Sequence, residues 1–262
     1  MTTPKLSPRL EFARRIALEA GELTLRYFQR RDVKVERKND SSPVTIADRE
    51  AELLLRKRIA AEYPDDAILG EEFPEKTGTS GYCWILDPID GTKSFIHGVP
   101  LYGNMVAVEH GGQGIIGVIN FPALREYVFA AVGEGAWYVH NDEEPSRCRV
   151  SVTSELKEAC FVTSEVKTFG KKGRPEVYQN VEAAVRLTRT WGDCYGYMLV
   201  ATGRADVMID PMLNIWDAAA VQPIINEAGG RYSDWRGAPS IHTNDAVATN
   251  GLLHEQVLKI IG

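Results

Sequence analysis

Residues 84–92 read "WILDPIDGT", an apolar run that stops on two carboxylates three positions apart. No other stretch narrows the available folds as much. Acids placed at the end of a buried strand must find partners to offset their desolvation. Pro88 disfavours helix at Asp87, so the backbone turns as it leaves the strand. Gly91 then permits a tight turn, and Thr92 is suited to open a short helix. Such a turn can aim Asp87, Asp90 and the Ile89 carbonyl at one point, with the first amide N–H groups of the helix facing the same way, a site for an oxyanion. The plainer reading makes Asp87 a turn acid and Asp90 a helix cap. Two further acids bear on the choice. Glu71 lies upstream in "GEE", and Asp217 sits in "NIWDAAA" among apolar residues, with no lysine or arginine close in sequence.

The 262 residues are enough for one large or two modest domains, and 44% hydrophobic with 25% charged residues is an ordinary globular balance. A net charge of −6 argues against general affinity for nucleic acid or anionic membranes. Four cysteines, Cys83, Cys148, Cys160 and Cys194, form no CxxC pair, so reduced thiols and a cytoplasmic setting are expected. The N-terminal stretch is amphipathic and shows no secretory signal. No run approaches the roughly 18 apolar residues that span a bilayer.

Apolar residues recurring at three and four predict a helix from Leu10 to about Arg30, and another from Ile46 to Tyr63 ahead of Pro64. "YCWILD" reads as a buried strand, and four β-rich runs between Asn104 and His140 read as antiparallel strands. The polar "NDEEPSRCRV" suggests a boundary, dividing the chain into 1–145 (α+β, with most of the acids) and 146–262 (α/β, with Asp217). In the second part strands at "ACFVTS", "ADVMID" and "DAVATN" alternate with helices at 177–187, "GYMLVATG", "IWDAAAVQPIINEAGG" and the C-terminus.

Clustered carboxylates with hydroxyl and carbonyl oxygens suit Mg²⁺ rather than zinc. Five histidines without HxH or HxxxH spacing agree. Magnesium beside helix-start amides implies phosphoryl chemistry.

"SPVTIAD", "GEE", "WILDPIDGTKSFIHGVP", "LVATGRADVMID" and "NIWDAAAVQPIINEAGG" occur in an order that resembles the inositol-monophosphatase-like phosphatases over nearly the whole chain. The resemblance implies a layered αβαβα sandwich, antiparallel in its first sheet and mixed in its second, a homodimer, and two to three Mg²⁺ ions. It implies that Glu71, Asp87 and the Ile89 carbonyl hold one ion and Asp87, Asp90 and Asp217 another. Gly91 and Thr92 would offer N–H groups to phosphate, and Thr92, hydrogen-bonded to Asp48, would orient the attacking water. The family's third, weaker ion is expected near Glu71.

"TWGDCYGY" followed by "MIDPMLNIWDAAA" is more similar to the histidinol-phosphatase branch than to inositol phosphatases. An ammonium-bearing ester calls for carboxylates, which Asp193 and Asp210 supply. The family often has glutamate where this chain has the shorter Asp210. Trp191 and Tyr195 could pack on an imidazole, with Cys194 between them, though core packing is the commoner fate of such aromatics. Asp193 could equally cap the following helix, and Asp210 could begin a turn. Lys38 could approach phosphate; Lys171 and Lys172 read as solvated, and His97 and His110 as structural or surface residues. Competing functions are hydrolysis of inositol monophosphate, fructose bisphosphate or nucleotide 3′-phosphate, a regulatory protein that turns over little, and a plain Mg²⁺/phosphate binder. Intact acids and Thr92 favour an enzyme.

Overall fold

The computed structural model describes residues 6–32, 34–37 and 43–262. Helix α1 (Pro8–Leu25) buries Leu10, Phe12 and Ile16, and α2 (Ile46–Glu62) buries Ala51, Leu55 and Ile59. Pro8 occupies the first turn of α1, where its missing N–H leaves no bond unmade. The helix ends at Leu25, short of the expected Arg30, and passes into turns.

A ribbon of β1 (Val35–Arg37) and β2 (Pro43–Thr45) precedes α2. The larger sheet has seven strands in sequence order: β3 (Ala67–Gly70), β4 (Tyr82–Asp90), β5 (Gly103–His110), β6 (Gln113–Phe121), β7 (Glu126–Ala131), β8 (Gly135–His140) and β9 (Ser146–Arg147). It is antiparallel, as expected, except that β3 and β4 run parallel. The connection between them doubles back along the edge of β3, where Lys76 bridges Ile68, and so re-enters at the same end. The smaller sheet contains β10 (Cys160–Val162), β11 (Leu187–Arg189), β12 (Val207–Asp210), β13 (Arg231–Ser233) and β14 (Ala246–Thr249), in the order β11-β10-β12-β14-β13. Its first two pairings are parallel and its last two antiparallel, the expected mixed sheet.

The remaining helices are α3 (Thr92–Ile96), α4 (Val166–Lys171), α5 (Pro175–Ala184), α6 (Asp193–Ala201), α7 (Ile215–Ala218), α8 (Val221–Glu227) and α9 (His254–Ile261). α1 and α2 cover one face of the seven-stranded sheet. α6 and α8 fill the space between the sheets, and α4, α5 and α9 close the outer face of the smaller sheet. The order of layers is αβαβα.

The helix expected from Ile215 to the glycines is broken into α7 and α8. Pro223 cannot bond back to Ala219, so the helix restarts at Val221 with the proline in a first turn that needs no N–H. α8 lies almost on the sheet: a Cβ at Gly117 would stand 2.1 Å from the Ala220 carbonyl oxygen.

Candidate active site

The end of β4 builds the first wall. Its pairing with β5 holds to Asp87, skips, and resumes at Asp90, because Pro88 has no N–H for the ladder. The Pro88 carbonyl instead accepts from Asn104 Nδ2 at 2.6 Å, and the Ile89 N–H turns inward to Asp87 Oδ1 at 3.0 Å. Gly91 follows with φ 77°, a left-handed backbone that starts α3. The Thr92 hydroxyl donates to the Ile89 carbonyl at 3.1 Å.

Asp217 comes from the other side, on the first turn of α7. Asn214 caps that turn, and its backbone N–H donates to Asp217 Oδ2 at 2.7 Å. Asp87, Asp90 and Asp217 thereby present oxygens all within 4.8 Å of one another. Among the described residues no ion pair involves any of the three. Burial drives the Asp87 carboxyl well above the usual range, with Glu71, Asp90 and Asp217 pushing the same way. Asp90 is raised likewise, first by burial and then by Asp193 and Asp217, although the Cys194 N–H at 2.5 Å opposes this. Asp217 is pushed up to about 7, chiefly by burial.

The cleft has two lobes that share Asp90, Lys93, Asp193 and Asp217. The outer one, about 230 Å³, is lined by Glu71, Asp87, Ile89, Gly91, Thr92 and Trp216. The inner one, about 160 Å³, adds Ser164, Glu165, Tyr197, Asp210, Met212 and Leu213. A groove of about 500 Å³ along α1, ending at Tyr63, is larger but holds none of these acids.

Asp193 starts α6 with φ 53°, an uncommon backbone for a non-glycine residue. Its N–H donates to Ser164 Oγ at 2.8 Å, and Ser164 Oγ in turn donates to Asp210 Oδ1 at 2.7 Å. Tyr197 holds the other Asp210 oxygen at 2.9 Å. Burial raises Asp210 to about 6. It lines the inner lobe, but both its oxygens are already engaged.

Other expectations need correction. The hydrogen bond between Thr92 and Asp48 is not made. Asp48 stands at the third position of α2, where its Oδ2 takes the N–H and hydroxyl of Thr45 at 2.8 and 2.6 Å, closing a capping box. Its Oδ1 is buried without a partner among the described residues, and burial lifts Asp48 to about 6. Trp191 is 42% exposed beside Arg189 and lines neither lobe. Tyr195, two residues past Asp193 and therefore on another helix face, packs edge-on against Phe121. Cys194 contributes its backbone N–H, while its thiol is buried. Lys38 lies outside the described residues.

Ser164, Tyr197, Asn214 and the Lys93–Glu165 ion pair at 2.5 Å escaped the sequence reading. Only Asn214, three residues before Asp217, carried a signal: the spacing of a capping box.

The family model for the inositol monophosphatase family matches residues 5–262. The chain belongs to that family. A histidinol-phosphatase of Chlorobaculum parvum is 44% identical to this family member over 98% of both chains. A histidinol-phosphatase of Mycobacterium tuberculosis is 39% identical over 95% of this chain and 96% of its own length. Among solved structures, the extragenic suppressor protein suhB of Bartonella henselae superposes with a TM-score of 0.89 at 29% identity, covering 97% of this chain and 98% of its own. The family member described here is a phosphoric monoester hydrolase. Among the described residues, no helix is long and apolar enough to cross a membrane.

Proposed function

We propose that this phosphatase hydrolyses histidinol phosphate to histidinol and phosphate, and that it does so with Mg²⁺. The observation that carries this reading is the convergence of Asp87, Asp90 and Asp217 at the mouth of a lobe lined by further acids. One buried and two half-buried carboxylates, without an ion-pair partner among the described residues and joined only by oxygen donors, fit a hard divalent cation. At about 4 Å and an effective dielectric near 20, each ionised pair repels by roughly 4 kcal/mol, so some positive charge must enter.

Glu71, Asp87 and the Ile89 carbonyl would hold one ion, and Asp87, Asp90 and Asp217 a second, with a third and weaker ion near Glu71. Bound there, Mg²⁺ would act as a Lewis acid toward the phosphate and acidify water. The Gly91 and Thr92 amides would receive the phosphate oxygens at the start of α3. The Thr92 hydroxyl, turned from the Ile89 carbonyl, would orient the attacking water, and Asp48, with an oxygen to spare, would accept its proton. In the inner lobe Asp193 and Glu165 would face the substrate ammonium, while Asp210 fixes Ser164 and Tyr197. Most of the acids would then come from residues 1–145, and the substrate side with Asp217 from 146–262. A homodimer in the cytoplasm completes the reading.

The two histidinol-phosphatase relatives support this choice of ester over inositol 1-phosphate. Phosphate release from the two esters, with Mg²⁺ and with EDTA, is the test. Faster turnover of inositol 1-phosphate rejects the substrate, and full activity in EDTA rejects the cation.

A further inference from the structure

Glu52 takes no part in the chemistry above, yet its carboxylate is wholly buried. It lies on α2 one turn beyond Asp48, pointing to the end of β3. There Oε2 accepts the Glu72 N–H at 2.7 Å and Oε1 accepts the Phe73 N–H at 3.3 Å. Arg56, one turn further, donates Nε to Glu52 Oε1 at 2.7 Å and Nη2 to the Phe73 carbonyl at 2.9 Å. The fit is close enough to require glycine beside it, since a Cβ at Gly70 would stand 2.2 Å from Glu52 Oε1. Burial raises the Glu52 carboxyl, against the pull of the Glu72 N–H and Arg56.

Glu71 sits between two fixed points. On one side Gly70 pairs with Leu86 in the parallel ladder, and the Glu71 N–H reaches the Leu86 carbonyl at 3.3 Å, next to Asp87. On the other, Glu52 and Arg56 hold the backbone of residues 72 and 73. We propose that Glu52 is a positioning residue: with Arg56 it clamps the turn after β3 so that Glu71 faces Asp87 at the cation site. This rests on the reading of Glu71 as a cation ligand. The chemistry of the pair suits the task. A carboxylate receives two adjacent amides at once, and Arg56 cancels its charge beside a cluster that already holds Glu71, Asp87, Asp90 and Asp217.

The test uses the full chain without substrate and Mn²⁺ as the probe, an ion suited to the same oxygen donors. Its free-ion EPR signal falls on binding. In Glu52→Gln the Mn²⁺ dissociation constant rises roughly 10–100-fold, the range for groups that orient metal ligands, and amide exchange at Glu72 and Phe73 accelerates. Val257→Ala, in the outermost layer, lowers the melting temperature but leaves Mn²⁺ affinity unchanged, which separates positioning from general stability. Should Glu52→Gln not fold, Arg56→Gln serves: it leaves the carboxylate on both amides, frees the Phe73 carbonyl, and raises the dissociation constant by less. Unchanged Mn²⁺ affinity in the folded variants overturns the positioning role. A wild-type chain that leaves the Mn²⁺ signal untouched overturns the cation reading itself.

Discussion

Asp90 and Cys194, 104 residues apart in sequence, meet through a backbone N–H to carboxylate bond of 2.5 Å. The bond ties the end of β4 to the start of α6. One oxygen of Asp90 is thereby fixed by the protein while the carboxylate faces Asp217 and Asp87.

Asp90→Asn keeps an acceptor for Cys194 and removes the charge. It lowers kcat/KM by about 10²–10⁴-fold, equivalent to several kcal/mol of lost transition-state stabilisation, with little change in the circular-dichroism melting curve. Activity within a few-fold of wild type would remove Asp90 from the site.

Asp193 occupies a left-handed backbone position that asparagine tolerates. Asp193→Asn therefore tests charge alone. KM for histidinol phosphate rises while that for inositol 1-phosphate stays put; a charge-assisted contact of about 1.5–3 kcal/mol corresponds to roughly 10–150-fold. Equal changes for both esters would mean that Asp193 does not read the ammonium.

Without a cation, Asp217 is a liability above its folded-state pKa. Burial lifts it from 3.8 to about 7, so its share of stability is present below about pH 4 and is lost as pH rises through 7. In EDTA at pH 8, Asp217→Asn melts higher than wild type, and the gain disappears at pH 4. Saturating Mg²⁺ reverses the order, since an ion at 100 times its Kd adds about 2.7 kcal/mol to wild type. A variant less stable than wild type in EDTA at pH 8 counts against the strained cluster.

His254, fully buried, hydrogen-bonds with the Ser233 and Thr249 hydroxyls at 2.9 and 3.1 Å. Burial, and secondarily Arg231, lower its pKa from 6.5 to about 4. Its neutral form supports the fold above pH 6.5, and that support is lost as pH falls towards 4, to a total of about 3 kcal/mol. Urea unfolding at pH 7 and pH 4.5 shows a shallower decline in His254→Gln than in wild type. Parallel slopes would refute the assignment.

Strands β4–β8 of the larger sheet and the acids were legible because each is written locally, whereas β3 and β9 went unread and the layers followed from the family resemblance. "WILDPIDGT" contains its own turn, and the period of α1 and α2 names their buried faces. Contacts across long separations left no such trace. Nothing near Asp210 announces that Ser164 and Tyr197 occupy its oxygens. Asp48 was misread in its contacts because the bond to Thr92 came from the resemblance alone, whereas the local three-residue spacing from Thr45 closes a capping box on the same carboxylate. Trp191 was read as able to pack on an imidazole, but its ring is partly exposed beside Arg189 and lines neither lobe.

Asp217 belongs to a segment synthesised long after Asp87 and Asp90, and it reaches them only when α7 settles beside β4. On the ribosome, a chain that has emerged no further than "WILDPIDGT" carries Asp87 and Asp90 but not yet Asp217. On the proposed reading of the site, a product cut short before Asp217 would lack the third acid and would be inactive.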